Sequence, residues 1–112
     1  MTNCIVVVQF DLPKRSEEQA VKGATSTAPI YRELGKKGLI RKDYLNGETG
    51  TGGVYLWESR AAAEAWFTEA RLEELTKRFG SRPRLTWYDT HVTVDNLKHE
   101  TMVNGESIEA MA

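Results

Sequence analysis

The order of apolar and polar positions along the chain predicts four strands and two helices. An apolar run over residues 4–10, without strict alternation, is typical of a strand that is covered on both faces. Ser16 stands three residues before Gln19, which is a capping-box pattern at the start of a helix. Pro29 lies inside the periodic stretch that follows, so we expect a kink or a restart of the helix there.

The second half of the chain continues the pattern with a hairpin, a helix and a final strand. Two strands, residues 38–45 and 52–57, flank a glycine-rich connection that begins with the hairpin signal Asn46-Gly47. In the helix that follows, the apolar positions change phase at a point where Thr68 can cap a second segment. The last strand covers residues 84–94. The resulting order, β-α-β-β-α-β, predicts an α+β, ferredoxin-like fold with an antiparallel four-stranded sheet and both helices on one face.

The domain organisation follows from the same pattern. Residues 1–96 read as one domain, and residues 97–112 read as a polar tail that is flexible or crosses to a neighbouring subunit, because they lack periodicity. Strands one, two and four carry apolar or aromatic side chains on both faces. We therefore expect the free face of the sheet to pack against a second copy, giving a homodimer.

Composition narrows the possible partners and the compartment. The 112 residues include 15 basic and 16 acidic side chains, so nothing in the charge balance favours a nucleic acid or a membrane surface as partner. No apolar run approaches the ~20 residues that span a bilayer. Cys4 is the single cysteine, and no secretory segment is visible, which favours a cytoplasmic protein. One cysteine and two histidines at unrelated positions predict no metal site.

Several segments resemble the YdhR-type monooxygenases of the dimeric α+β-barrel superfamily, which also contains the antibiotic-biosynthesis monooxygenases. The resemblance covers residues 4–96 and is carried by residues 27–34, 38–42, 52–64, 87–89 and 92–96. Its most specific part is Gly53-Val54-Tyr55-Leu56-Trp57-Glu58-Ser59-Arg60. The chain departs from the family pattern at Gly35-Lys36-Lys37, where the connection to the second strand is longer, and in its appended tail. The resemblance implies a dimeric α+β barrel that oxidises a small aromatic or lipophilic, phenol- or quinol-like substrate with molecular oxygen and without metal, flavin or haem.

Such a reaction requires a base, a pocket that holds a flat anion, and exclusion of water. We expect this pocket between the sheet and the helices, lined by aromatic side chains. The candidates for substrate binding are Tyr31, Tyr44, Tyr55, Trp57, Trp66, Phe67 and Trp87. The alternative for each of them is packing in the core or in the dimer interface.

His91 is the candidate base, because an imidazole titrates close to neutral pH. Asp89 shares its strand face at a Cα separation of about 7 Å, near enough for a carboxylate to orient the ring. The alternative is a surface histidine near the end of the strand. Arg41 or Lys42 could stabilise an anion in the pocket, and the alternative for both is ion pairing between subunits or protection of a strand edge.

Three other functions occur on the same arrangement of strands and helices. An RNA-recognition domain also has aromatic strands on a ferredoxin-like sheet, but the third strand here lacks its basic-Gly-aromatic signature. A non-catalytic ligand-binding or stress-response barrel would use the same pocket. So would an oxygen-independent cyclase or isomerase of polyketide-like compounds, because fold alone does not separate these functions.

Overall fold

The computed structural model describes residues 1–109, which form a mixed α+β fold with an antiparallel four-stranded sheet and three α-helices. The strands of this sheet are β1 (Asn3–Phe10), β2 (Leu39–Gly47), β3 (Gly50–Trp57) and β4 (Arg84–Thr90). Their spatial order is β2-β3-β1-β4. The helices are α1 (Glu17–Glu33), α2 (Arg60–Trp66) and α3 (Glu69–Phe79), and a 3-10 turn (Leu34–Lys37) follows α1. A second, three-stranded sheet consists of β5 (Val92–Asp95), β6 (Glu100–Val103) and β7 (Glu106–Ser107).

The helix boundaries are set by local side-chain hydrogen bonds. The capping box at Ser16 is confirmed: its hydroxyl accepts from the Gln19 amide at 3.2 Å, and the Gln19 side chain accepts from the Ser16 amide at 3.3 Å. The expected restart at Pro29 does not occur, because α1 runs through it as one helix. The hydroxyls of Thr25 and Thr27 donate back to carbonyls one turn earlier, within the same helix.

The predicted break in the second helical stretch is confirmed. The Thr68 hydroxyl accepts from the Arg71 amide at 3.2 Å, so it caps α3 separately from α2. Gly80 ends α3 in the left-handed conformation with φ of 74°, where a glycine is favoured. The change in the phase of the apolar positions therefore marks a real boundary between two helices.

The main sheet has one face covered by helices and one face that no helix within residues 1–109 covers. Cys4, Val6 and Val8 of β1 are buried on the covered face, in a core that also contains Trp57 and Ala63 of α2. Partly buried side chains of α1 and α3 pack against this core. We call the opposite side the outer face; Ile5, Val7, Val54 and Leu56 lie there and are half-buried. Within one chain, the helices thus cover β1 on only one of its two faces.

A β-bulge near the start of β2 changes the alternation of its side chains. Leu39 pairs with Trp57 and Arg41 pairs with Leu56, so Ile40 is an extra residue in the strand. Leu39 is buried on the covered face, whereas Ile40 and Arg41 are exposed. The bulge therefore brings Lys42, three residues after Leu39, back to the covered face.

The C-terminal part of the chain differs from the expected continuous strand and unstructured tail. The predicted strand over residues 84–94 is interrupted at His91, whose carbonyl accepts a hydrogen bond from the Asn104 amide at 2.8 Å. Residues 100–103 and 106–107 then form a hairpin that pairs with β5. Residues 110–112 of the predicted tail lie outside the described residues. The two positions at the hairpin turn, Asn104 and Gly105, have φ of 48° and 83°, as a tight hairpin turn requires.

Candidate functional site

A cavity of about 300 Å³ lies between the covered face of the sheet and helices α1 and α3. Its volume is at the lower end of the range of about 300–1,000 Å³ that is typical of small-molecule sites. The wall is mostly apolar and aromatic, and includes Val8, Phe10, Tyr31, Lys42, Tyr44, Tyr55, Leu75 and Phe79. The cavity therefore fits a compact, largely apolar ligand.

The side-chain amine of Lys42 points into a cluster of three aromatic rings in this cavity. Its Nζ lies 3.4 Å from the ring centroid of Tyr31, 4.0 Å from that of Tyr44 and 4.6 Å from that of Tyr55. We call these three residues the tyrosine cage. An ammonium group this close to aromatic rings is attracted by their negative faces. The cage thus favours a positive charge on a side chain that is itself partly buried.

The sheet register explains how the amine reaches the cage. Lys42 lies directly opposite Tyr55 on the neighbouring strand, and Tyr44 lies opposite Gly53. A Cβ at Gly53 would lie 3.0 Å from Cε of Lys42 and 3.1 Å from Cε1 of Tyr55. The absence of a side chain at this position therefore leaves room for the lysine chain. Tyr31 completes the cage from α1.

Hydrogen bonds and ring contacts fix the orientation of the cage. The hydroxyl groups of Tyr44 and Thr27 are 2.8 Å apart and form a hydrogen bond. The hydroxyl of Tyr55 donates to that of Tyr31 at 3.5 Å. The ring of Tyr31 meets that of Tyr44 edge-on, at an interplanar angle of 85°. These contacts hold three aromatic faces around one amine in a defined geometry.

Burial changes the proton equilibrium of the groups in the cavity. It lowers the pKa of Lys42 from 10.5 to about 7, because the charged form loses its hydration. Within residues 1–109, Lys42 forms no ion pair that would compensate for this loss. Burial raises the pKa of Tyr55 far above its usual range, so this tyrosine stays neutral. Lys42 is therefore the group in the cage that can exchange a proton near neutral pH.

The three predicted catalytic residues lie outside this cavity. His91 is exposed, and its Nδ1 is 3.0 Å from Oδ1 of Asn104, so the partner of the ring is this amide and not Asp89. Asp89 is exposed on β4. Arg41 donates to the carboxylate of Asp43 through Nε at 2.9 Å, and this contact raises the pKa of Arg41. The structure does not bring the three residues together.

The seven predicted substrate-binding aromatics divide into two groups. Three of them form the tyrosine cage. The other four do not line the cavity. Trp57 is completely buried in the core, and Phe67 packs edge-on against it. Trp66 and Trp87 pack at the margin of the core, each with an arginine guanidinium over its ring. Tyr55 of the cage and Trp57 of the core lie on the same face of β3, so the alternation of side chains along a strand does not distinguish the two groups.

The central role of Lys42 was not visible in the sequence. Its charge marked it as one candidate for anion stabilisation beside Arg41, but the bulge at Ile40 decides which of the two faces the cavity. The convergence of Tyr31 on the lysine depends on the packing of α1 over the sheet, which has no local sequence signal.

Comparison with known proteins assigns no family to the chain. No family model matches the chain, and no curated protein matches it. Among residues 1–109, no three side chains of the types His, Cys, Asp and Glu are grouped closely enough to hold a metal ion. No helix in that part of the chain combines the length and apolar character required to cross a membrane.

Proposed function

We propose that this protein is a cofactor-independent monooxygenase that binds a small phenol-like aromatic compound in the cavity and oxidises it with molecular oxygen. The observation that carries the proposal is the amine of Lys42, which lies inside the tyrosine cage with its pKa lowered to about 7. The resemblance to the YdhR-type monooxygenases points to the same chemistry. Lys42 takes the role of base that the sequence suggested for His91.

The first step is removal of a proton from the substrate. Near pH 7 a large fraction of Lys42 is neutral and can accept the proton of a phenol or of an acidic C–H group. The ammonium group that results is stabilised by the rings of the tyrosine cage and remains next to the new anion. Burial removes part of the hydration of the Lys42 amine, which strengthens the attraction between the two charges.

The second step is reaction of the electron-rich anion with oxygen. For an anthrone, the methylene carbon loses two hydrogen atoms and gains one oxygen atom, which gives a quinone. The second atom of O₂ leaves as water with the two hydrogens. Oxygen accepts four electrons and the anthrone loses four, so the reaction needs no other oxidant or reductant.

The proposed assembly is a homodimer of ferredoxin-like protomers that forms a dimeric α+β barrel. The outer face of the sheet supports it, because Ile5, Val7, Val54 and Leu56 lie there without a covering helix. Sedimentation velocity of the wild-type protein is expected to show a dimer. Val7→Glu should shift it to the monomer, since a carboxylate on this face would lose its hydration in the dimer. A wild-type monomer at all concentrations would contradict the proposed assembly.

Oxygen uptake tests the chemistry directly. Purified protein is incubated with anthrones and dihydroxynaphthalenes in an oxygen-electrode cell, and the same sample is analysed for metal and flavin. We expect uptake above the buffer rate for the wild-type protein. Lys42→Met, which fills similar space without a titratable group, should return the rate to that of the buffer. Lys36→Met is the matched control, because this lysine is exposed and does not line the cavity.

Other results would lead to the alternative functions. Tight binding of these compounds without uptake would indicate a ligand-binding barrel. Conversion of the ligand without uptake would indicate a cyclase or isomerase. Equal uptake by wild type and Lys42→Met would exclude Lys42 as the base.

A further inference from the structure

The charged residues that line the cavity are all basic. Lys42 lies at one end, in the tyrosine cage, and Arg15 and Arg78 contribute to the wall elsewhere. Among the described residues of this wall, none is acidic. A cavity whose charges share one sign raises the local concentration of ligands of the opposite sign. The protein as a whole has a net charge of −1, so this positive character belongs to the cavity and not to the chain.

Arg15 is held in place by the sheet and leaves most of its donors free. Its backbone amide donates to Oδ1 of Asn46 at 2.8 Å, and Nδ2 of Asn46 donates to the Arg15 carbonyl at 2.9 Å. The guanidinium group lies so close to α1 that a Cβ at Gly23 would come within 2.9 Å of its Nη1. One of its N–H groups donates to the carbonyl of Gln19 at 3.0 Å. Because a guanidinium group has five N–H donors, the others remain available to a ligand.

The two ends of the cavity are separated by roughly one turn of α1. Gly23, below the Arg15 guanidinium, precedes Thr27 by four residues, which is about 6 Å along the helix axis. Thr27 bonds to Tyr44 of the tyrosine cage. Neither Arg15 nor Arg78 forms an ion pair within residues 1–109. Arg15 thus stands about one helical turn from the tyrosine cage, a distance that a bicyclic aromatic molecule can span. Arg78 lies on the wall of the same cavity, with its guanidinium carbon 5.4 Å from the ring centroid of Phe79, another lining residue.

We propose that the substrate is an aromatic acid, whose carboxylate binds Arg15 and Arg78 while its phenolic oxygen faces Lys42 at the other end of the cavity. This inference rests on the proposed function and specifies its substrate class. The planar fork of an arginine matches a carboxylate with two parallel hydrogen bonds. The carboxylate and the phenolic hydroxyl of such a substrate must lie at opposite ends of its ring system.

Calorimetric binding of three naphthalene compounds tests this arrangement. The ligands are 6-hydroxy-2-naphthoate, with groups at opposite ends, 3-hydroxy-2-naphthoate, with adjacent groups, and 2-naphthol, without the acid. We expect the first to bind at least about tenfold more tightly than the other two, as hydrogen bonds to a charged group imply. The preference should decrease as salt is added, because both arginines are exposed.

Variants assign the preference to the two arginines. The double variant Arg15→Gln/Arg78→Gln should bind the opposite-end acid no better than 2-naphthol. Arg32→Gln is the matched control. Arg32, on α1, is exposed like the two arginines of the cavity wall but does not line the cavity, so this variant should bind the ligands like wild type. Arg15→Lys keeps the charge without the fork, and should retain part of the preference. Thermal unfolding of each variant verifies that the fold is intact.

The outcomes separate this inference from the proposed function. Equal affinity of wild type for the acid and 2-naphthol would overturn the inference and leave the oxygenase proposal in place. A preference that survives in the double variant would also overturn it, because the carboxylate would then bind at Lys42. Failure of all three ligands to bind would overturn the inference, and the oxygen-uptake experiment would then decide the proposed function by itself.

Discussion

Replacement of Lys42 by methionine is expected to stabilise the protein at neutral pH and to change the dependence of its stability on pH. In the folded protein, burial lowers the pKa of Lys42 from 10.5 to about 7. Between these two pH values the unfolded chain binds a proton that the folded protein does not bind. Protonation therefore favours the unfolded state, and the free energy of unfolding rises as the pH rises through this interval. Below pH 7 Lys42 is protonated in both the folded and the unfolded state, and the destabilisation that its buried charge causes has reached its full size.

The size of the effect follows from the pKa change. One unit corresponds to about 1.36 kcal/mol, so the charge on Lys42 costs up to about 4–5 kcal/mol at pH 6 and about 2 kcal/mol at pH 9. Attraction between the ammonium group and the tyrosine cage opposes this cost, which makes both values upper estimates. Relative to Lys42→Met, the wild-type protein should thus gain about 2–3 kcal/mol of unfolding free energy between pH 6 and pH 9.

Urea unfolding, followed by circular dichroism at pH 6, 7.5 and 9, measures this difference. Protein concentration is kept constant, because a dimer would make the apparent stability depend on it. Lys36→Met is the control, because the Lys36 side chain is 78% exposed. The stability of this variant should follow that of wild type at every pH. A constant difference between wild type and Lys42→Met from pH 6 to pH 9 would refute the assignment of a lowered pKa to Lys42.

Three further substitutions test the core, the predicted base and the strand contact. Trp57→Ala should lower the unfolding free energy by about 3–5 kcal/mol, because the side chain is fully buried, while calorimetry on the folded fraction should show unchanged ligand affinity. His91→Ala should leave oxygen uptake unchanged, and a lower rate at equal ligand affinity would restore His91 as the base. Gly52→Ala should cost more than about 1 kcal/mol in urea unfolding, because the added Cβ would collide with the Val8 carbonyl oxygen, whereas Gly35→Ala should be neutral, having open space.

Elements that depend on local sequence were predictable. The strand β1 was identified from its run of apolar residues, and the hairpin of β2 and β3 from the turn-forming pair Asn46-Gly47. Ser16 and Thr68 cap their helices as expected, because a cap needs only a side-chain oxygen and an amide three residues later. Asn104-Gly105 is the same kind of hairpin signal as Asn46-Gly47, so the hairpin of β6 and β7 is also encoded in the local sequence.

Features that depend on contacts between distant segments were not predictable. Strand alternation puts the neighbours Arg41 and Lys42 on opposite faces, but it does not show which of them faces the helices, because that depends on the extra residue Ile40. Strand alternation also joined His91 to Asp89, while the chain in fact leaves the main sheet at His91. The aromatic side chains divide between core and cavity according to how the helices pack, and composition carries no information on that division.

The bulge in β2 has a consequence for protein design. A designer who copies the tyrosine cage onto another antiparallel sheet would preserve the residues that touch the amine and would regard Ile40 as dispensable, since it faces outward and is 55% exposed. In a regular strand, however, a residue three positions after an inward-facing leucine faces outward. The transplanted lysine would then be hydrated, with an ordinary pKa. Ile40 must therefore be copied together with the site, although it does not line the cavity.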